Sequence, residues 1–116
     1  MFIEQYPNEI DLFVFFESKP FYKNNDDMDF AYKFSQHNGL SLIFSFSITS
    51  GWIQSIIEYN GKEISQYLIE NVNSFYLDND KEGEYLSAKI INNETITSIQ
   101  IRIKPDISVK WNTLIR

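Results

Sequence analysis

A chain of 116 residues that is 43% hydrophobic and 16% aromatic carries enough apolar matter to fill one core, which excludes global disorder and predicts a single domain over residues 1–116. The net charge of −6 is lopsided, −9 through residue 98 and +3 over the remainder. A negative body repels nucleic acid, whose phosphates need Lys and Arg, and attracts basic proteins. The absence of cysteine removes disulfides, thiolate nucleophiles and thiolate metal sites together.

The N-terminus, Met1-Phe2-Ile3-Glu4, has no basic stretch leading into an apolar one, so no cleaved export signal is expected. The apolar run Leu12–Phe16 is too short to span a bilayer. A cytoplasmic protein without membrane attachment is the expectation. Over 10–16, Ile10, Leu12, Val14 and Phe16 alternate and predict a strand. Lys23-Asn24-Asn25-Asp26-Asp27 reads as a loop before a strand at Phe30–Phe34. Residues 41–48 are the clearest strand, with Leu42, Phe44, Phe46 and Ile48 on one face and mostly serines opposite. After a turn at Ser50-Gly51, residues 52–59 set Ile53, Ile57 and Tyr59 against Gln54 and Glu58. Asn60-Gly61 then marks a two-residue hairpin turn, since both residues tolerate positive φ.

Residues 63–75 admit two readings. Ile64, Tyr67, Leu68, Val72 and Phe75 fall at helical spacing, yet the preceding turn favours a returning strand. Strands follow on both sides of Asp78-Asn79-Asp80-Lys81-Glu82-Gly83-Glu84. Asn92-Asn93-Glu94 supplies another tight turn, a better reading of Asn93-Glu94-Thr95 than a glycosylation site. Ile99, Ile101 and Ile103 alternate, Pro105-Asp106 breaks the chain, and Ile107, Val109 and Trp111 alternate again. The predicted fold is all-β, a mainly antiparallel sandwich or meander, with an α+β fold carrying one helix at about 63–75 as the alternative.

The means for catalysis are few. A single histidine, His37, lies in a stretch that reads as a turn, Gln36-His37-Asn38-Gly39, without a nucleophile or orienting acid in the sequence pattern around it, and reads as a surface residue. No phosphate loop, dinucleotide fingerprint or zinc spacing occurs, so no cofactor and no enzyme activity are expected. Asp78, Asp80, Glu82 and Gly83 match the opening of a calcium loop, but the twelfth position, where such a loop needs Glu, is Lys89. No metal is therefore predicted. Trp52 and Trp111 read as buried strand residues. What remains is an acidic surface for a basic partner: Asp78, Asp80, Glu82 and Glu84 first, flanked by the aromatic anchors Tyr76 and Tyr85, and then Asp26, Asp27 and Asp29.

The stretches Glu70–Leu77, Tyr85–Ile90, Ile99–Pro105 and Ile107–Trp111, joined through the acidic turn, resemble the small acidic immunity proteins encoded beside contact-dependent growth inhibition toxins and related polymorphic bacterial toxins. The resemblance spans residues 60–116. It implies a cytoplasmic inhibitor that binds a cognate toxin domain and blocks its active site, the toxin being a basic protein and often a nuclease. Two other readings stand beside it: a β-barrel enclosing an apolar small molecule, and a structural subunit of a larger assembly. Nothing in the residues decides whether the chain self-associates.

Overall fold

A computed structural model describes residues 2–116. Nine strands and one helix are found among them, in the order α1 (Glu9–Phe16), β1 (Tyr22–Asn24), β2 (Asp29–Ser35), β3 (Leu40–Ser47), β4 (Trp52–Tyr59), β5 (Lys62–Ile69), β6 (Phe75–Asp80), β7 (Gly83–Ile91), β8 (Thr95–Arg102) and β9 (Ser108–Ile115). Two antiparallel meanders result, a five-stranded sheet β1-β2-β3-β4-β5 and a four-stranded sheet β6-β7-β8-β9. Residues 63–75 are strand, loop and strand, so the helical alternative falls. Val72 and Phe75, which gave it its stripe, are instead buried at the crossing between the sheets.

The alternation read in 41–48 is the centre of the core. Leu42, Phe44 and Phe46 of β3 are buried, and Phe75 of β6 packs edge-on against Phe44 and Phe46, with ring centroids 5.6 and 5.0 Å away. Leu86, Ala88, Ile90, Ile99 and Ile101 complete the cluster from the second sheet. Each Leu, Ile or Phe side chain so withdrawn from water contributes about 1.5–3 kcal/mol. The sheets do not close into a barrel. Between them lie two voids of about 10 Å³ each, too small for a ligand, so the barrel reading is corrected: the interior is filled.

The strand predicted over 10–16 is the helix α1. Asn8 caps it, its side-chain oxygen accepting from the Asp11 backbone N–H at 2.8 Å, and Glu9 and Asp11 lie in the acidic first turn that a helix N-terminus favours. Leu12, Phe15 and Phe16 are buried at helical spacing, while Ile10, Phe13 and Val14 stay exposed. Apolar residues on both faces allow either period, and the cap decided it. Phe16 stacks on Tyr32 (4.9 Å) and reaches Phe44 (6.1 Å), so α1 packs on β2 and β3 of the first sheet. No helix of the described residues is long and apolar enough to cross a membrane.

The tryptophans also depart from expectation. Trp52 is half-buried and Trp111 is 38% exposed. Trp111 faces inward but sits on the edge strand β9, where Tyr67 of the opposite edge meets it. Tyr59 is likewise exposed. The β4–β5 register slips between Ile57 and Glu58, and such a slip ends the strict two-residue alternation.

Meander parity sorts the connections to two ends. At the near end lie the β1–β2 turn and the β3–β4 turn, linked by the Ile48 N–H to Met28 carbonyl bond, and the β5–β6 crossing, tied in by Val72 to Gly51 and Glu4 to Asn73. At the far end lie the β2–β3, β4–β5 and β6–β7 turns and the 103–107 loop, where Gln36 bonds the Pro105 carbonyl. Asn60 and Gly61, both at positive φ, make the predicted hairpin turn.

Candidate functional site

The acidic segment is the tip of the β6–β7 hairpin. Asp80 pairs with Gly83 across the two-residue turn Lys81-Glu82, and Gly83 has φ 126, a backbone state reserved largely for glycine. The Asp80 carboxylate accepts from the Glu82 backbone N–H at 2.9 Å, and Asp78 accepts from that of Asn79 at 2.8 Å. Asp78 stands opposite Tyr85, and Tyr76 opposite Ser87. Since Phe75 and Leu86 point into the core, Tyr76, Asp78 and Tyr85 share the outer face of the second sheet. Tyr76 is 46% exposed. Partial burial, then the charges of Asp78 and Asp80, push the Tyr85 hydroxyl above its ordinary pKa.

Arg102, at the end of β8, is the residue that sequence reasoning missed. Its neighbour Ile101 pairs with Leu86 and faces inward, so Arg102 faces outward and lies across β7 at Gly83, where no side chain obstructs it. The guanidinium bonds the Asp80 carboxylate and the Gly83 carbonyl and comes within 3.7 Å of Glu82. It also stacks 4.7 Å above the Tyr85 ring. Arg102 is only 5% exposed. Its hydrogen bond, with the Glu82 N–H second, holds the Asp80 carboxyl below the usual carboxylate range. Two of the four predicted carboxylates are thus partly neutralised from within, while Asp78 and Glu84 stay open to solvent without an ion pair among the described residues. The partner lies 22 residues from Asp80 in sequence. Only the β7–β8 register brings the two together.

The second acidic group is not brought to the first. Asp26 and Asp27 occupy the β1–β2 turn, which Asn24 organises by accepting from both backbone N–H groups at 3.0 and 3.4 Å. That turn is at the near end. β6 begins there and runs away from it for six residues, roughly 20 Å at 3.3 Å per residue. Asp29, opposite Ser47, has one carboxylate oxygen buried without a hydrogen-bond partner among the described residues. His37 lies exposed in the β2–β3 turn. The calcium-like spacing falls on a hairpin tip between strands, and no cluster of metal-ligating side chains occurs among the described residues.

A separate pocket of about 350 Å³ opens at the near end, between the start of α1 and the inner face of β2 and β3. Burial and the nearby Glu9 carboxylate push the Tyr32 hydroxyl in its wall up to a pKa of about 12.

No family model matches the chain, and no curated protein does. Among solved structures, one chain of a contact-dependent growth inhibition toxin–immunity protein complex from Klebsiella pneumoniae 342 superposes with a TM-score of 0.97 at 44% sequence identity, covering 98% of this chain and 100% of that one. Such identity and superposition over the whole length identify an inhibitor and not an enzyme: the chain belongs to the immunity proteins of contact-dependent growth inhibition systems.

Proposed function

We propose that the chain binds a cognate toxin domain in the cytoplasm and blocks its active site with the β6–β7 turn, the toxin being a basic nuclease. The observation that carries the reading is the turn itself. Arg102 fixes it through Asp80 and Gly83, and Asp78 and Glu84 project from it without an ion pair among the described residues. A nuclease cleft is lined with groups that receive phosphates, so Asp78, on the outer face with Tyr76 and Tyr85, and Glu84, on the opposite side of the hairpin, can stand in for the substrate's charge. Negative charge on the body of the chain raises the rate of encounter with such a partner and disfavours direct binding to nucleic acid. Asp26, Asp27 and Asp29 form a second, remote acidic group that a partner spanning both ends of the two sheets would also approach.

The test is titration of the toxin domain into the chain and into the Asp78→Lys, Glu84→Lys double variant at several salt concentrations. The reading expects a loss of at least tenfold in affinity, mostly in the association rate and shrinking as salt rises, with an unchanged melting temperature. Unchanged affinity would remove the turn from the interface. Loss of ribonuclease or deoxyribonuclease activity from the toxin on adding the wild-type chain checks the nuclease assignment separately.

A further inference from the structure

β9 leaves a row of backbone groups open at the edge of the second sheet. Such an edge invites pairing with another strand unless it is short, bulged or covered. The other three edges are managed in those ways. β1 is three residues long, and β5 carries the register slip at Ile57 and Glu58. The start of β6 is covered by the N-terminal segment, with a bridge between Gln5 and Ser74 and the Phe75 N–H bonded to the Gln5 carbonyl. β9 runs eight residues in unbroken register on β8, and its Leu114 and Ile115 are 66% and 89% exposed. Arg116 donates its N–H to the Glu94 carbonyl at 2.8 Å. Antiparallel pairs alternate between bonded and unbonded, so Ser108, Lys110, Asn112 and Leu114 are the residues bonded to β8. Val109, Trp111, Thr113 and Ile115 therefore turn their N–H and C=O groups to the open side.

We propose that β9 pairs antiparallel with β9 of a second copy of this chain, about a two-fold axis at Asn112. The register follows from the open groups. Val109 pairs with Ile115 of the second copy and Trp111 with its Thr113, and the two-fold repeats both pairs, so every open N–H and C=O from Val109 to Ile115 is satisfied. The side chains agree with that register on both faces. On the inner face the exposed Ile115 meets Val109, apolar against apolar. On the outer face Leu114 lies along the stem of Lys110, Asn112 meets its own equivalent, and Ser108 meets Arg116. Lys110 and Arg116 enter no ion pair among the described residues, yet no like charges stand opposite one another. The two Lys110 Cα atoms lie roughly 13 Å apart along the strands at 3.3 Å per residue, more than a Debye length at physiological salt. This self-complementarity favours a second copy over a foreign strand. β6, with the acidic tip, is the opposite edge of the sheet, so pairing through β9 leaves the tip open and the inference does not rest on that turn.

Sedimentation equilibrium of the chain alone, from about 5 to about 500 μM, tests the pairing. One strand pair is a small interface beside the roughly 1,200–2,000 Å² of a stable complex, so the expected dimer has a Kd of about 10–100 μM. Two substitutions at the exposed Leu114 read the register. Both remove the same apolar side chain, but Leu114→Lys sets a cation opposite Lys110 of the second copy and Leu114→Glu sets an anion there. The first should weaken association at least tenfold, and the second should keep it within about threefold of wild type. Neither should lower the melting temperature of the dilute monomer. Amide hydrogen exchange supplies a second readout. The N–H groups of Val109, Trp111, Thr113 and Ile115 should gain protection as concentration rises, while those of Lys110, Asn112 and Leu114 are protected throughout. A wild-type chain that stays monomeric to 500 μM would overturn the proposal, and so would equal weakening by the two Leu114 variants. A monomeric wild type whose Leu114 variants lose affinity for the toxin domain would also overturn it, giving the edge to the toxin instead.

Discussion

Phe75→Ala removes the wedge on which the two sheets meet. Phe75 is 1% exposed and makes edge-on contacts with Phe44 and Phe46 at 5.6 and 5.0 Å. It also adjoins one of the small voids between the sheets, so the space left behind would merge with an existing gap. Truncation of a buried Phe costs about 3–5 kcal/mol, the lost aromatic pairs included. Unfolding a chain of 116 residues releases roughly 0.24 kcal/mol per degree of entropy, at about 2.1 cal/mol/K per residue. The melting temperature should therefore fall by about 12–20 °C. Calorimetry measures this directly. Toxin affinity at 10 °C, with the variant still folded, should stay within about threefold of wild type, because the β6–β7 turn keeps its own bonds to Arg102. A fall of less than about 4 °C would refute the wedge, and a large loss of affinity in the folded variant would refute the independence of the turn from the core.

Two pH dependences follow from the shifted groups. Asp80 has a folded pKa below its ordinary value of 3.8, so its contribution is present above pH 4 and is lost as pH falls through the lower folded value. Denaturant midpoints taken from pH 5 to pH 2 should show this loss, and Arg102→Gln should flatten it; an identical acid profile in that variant would refute the pairing. Tyr32 runs the other way. Its pKa rises from 10.0 to about 12 on folding, so the unfolded chain ionises first and stability drops between pH 10 and 12. Tyr32→Phe should lessen the drop, and an unaltered alkaline profile would show that the hydroxyl is not shielded.

The sheets were legible because β3 states its pattern without ambiguity. Leu42, Phe44 and Phe46 against serines permit one period and one buried face, and the turns at Asn60-Gly61, Asn92–Glu94 and Pro105-Asp106 fall where their backbone preferences put them. α1 was misread because Ile10, Phe13 and Val14 lend its solvent face the same apolar texture as its core face. The signal that could have corrected the reading was local: Asn8 followed three residues later by Asp11, with acids in the first turn. The acidic tip was legible as a turn, yet its electrostatics were not, because the charge that balances it arrives from β8. The separation of the two acidic groups could have been counted. With strands alternating in direction, the first and sixth ends of a meander lie at opposite poles once the β5–β6 crossing is recognised as a strand-to-strand link.

Arg102 divides the hairpin tip into two halves with different freedom to change over generations. Asp80 and Glu82 are bound to the Arg102 cation, so replacing either leaves a nearly buried guanidinium short of a partner, and the loss must be made good by a second substitution at position 102. Asp78 and Glu84 enter no ion pair among the described residues, and exposed positions of that kind change at little cost to stability. A lineage pursuing a drifting toxin would therefore rewrite positions 78 and 84 singly and positions 80 and 102 together. Such coupled inheritance would leave the shape of the tip intact while its recognition surface is exchanged.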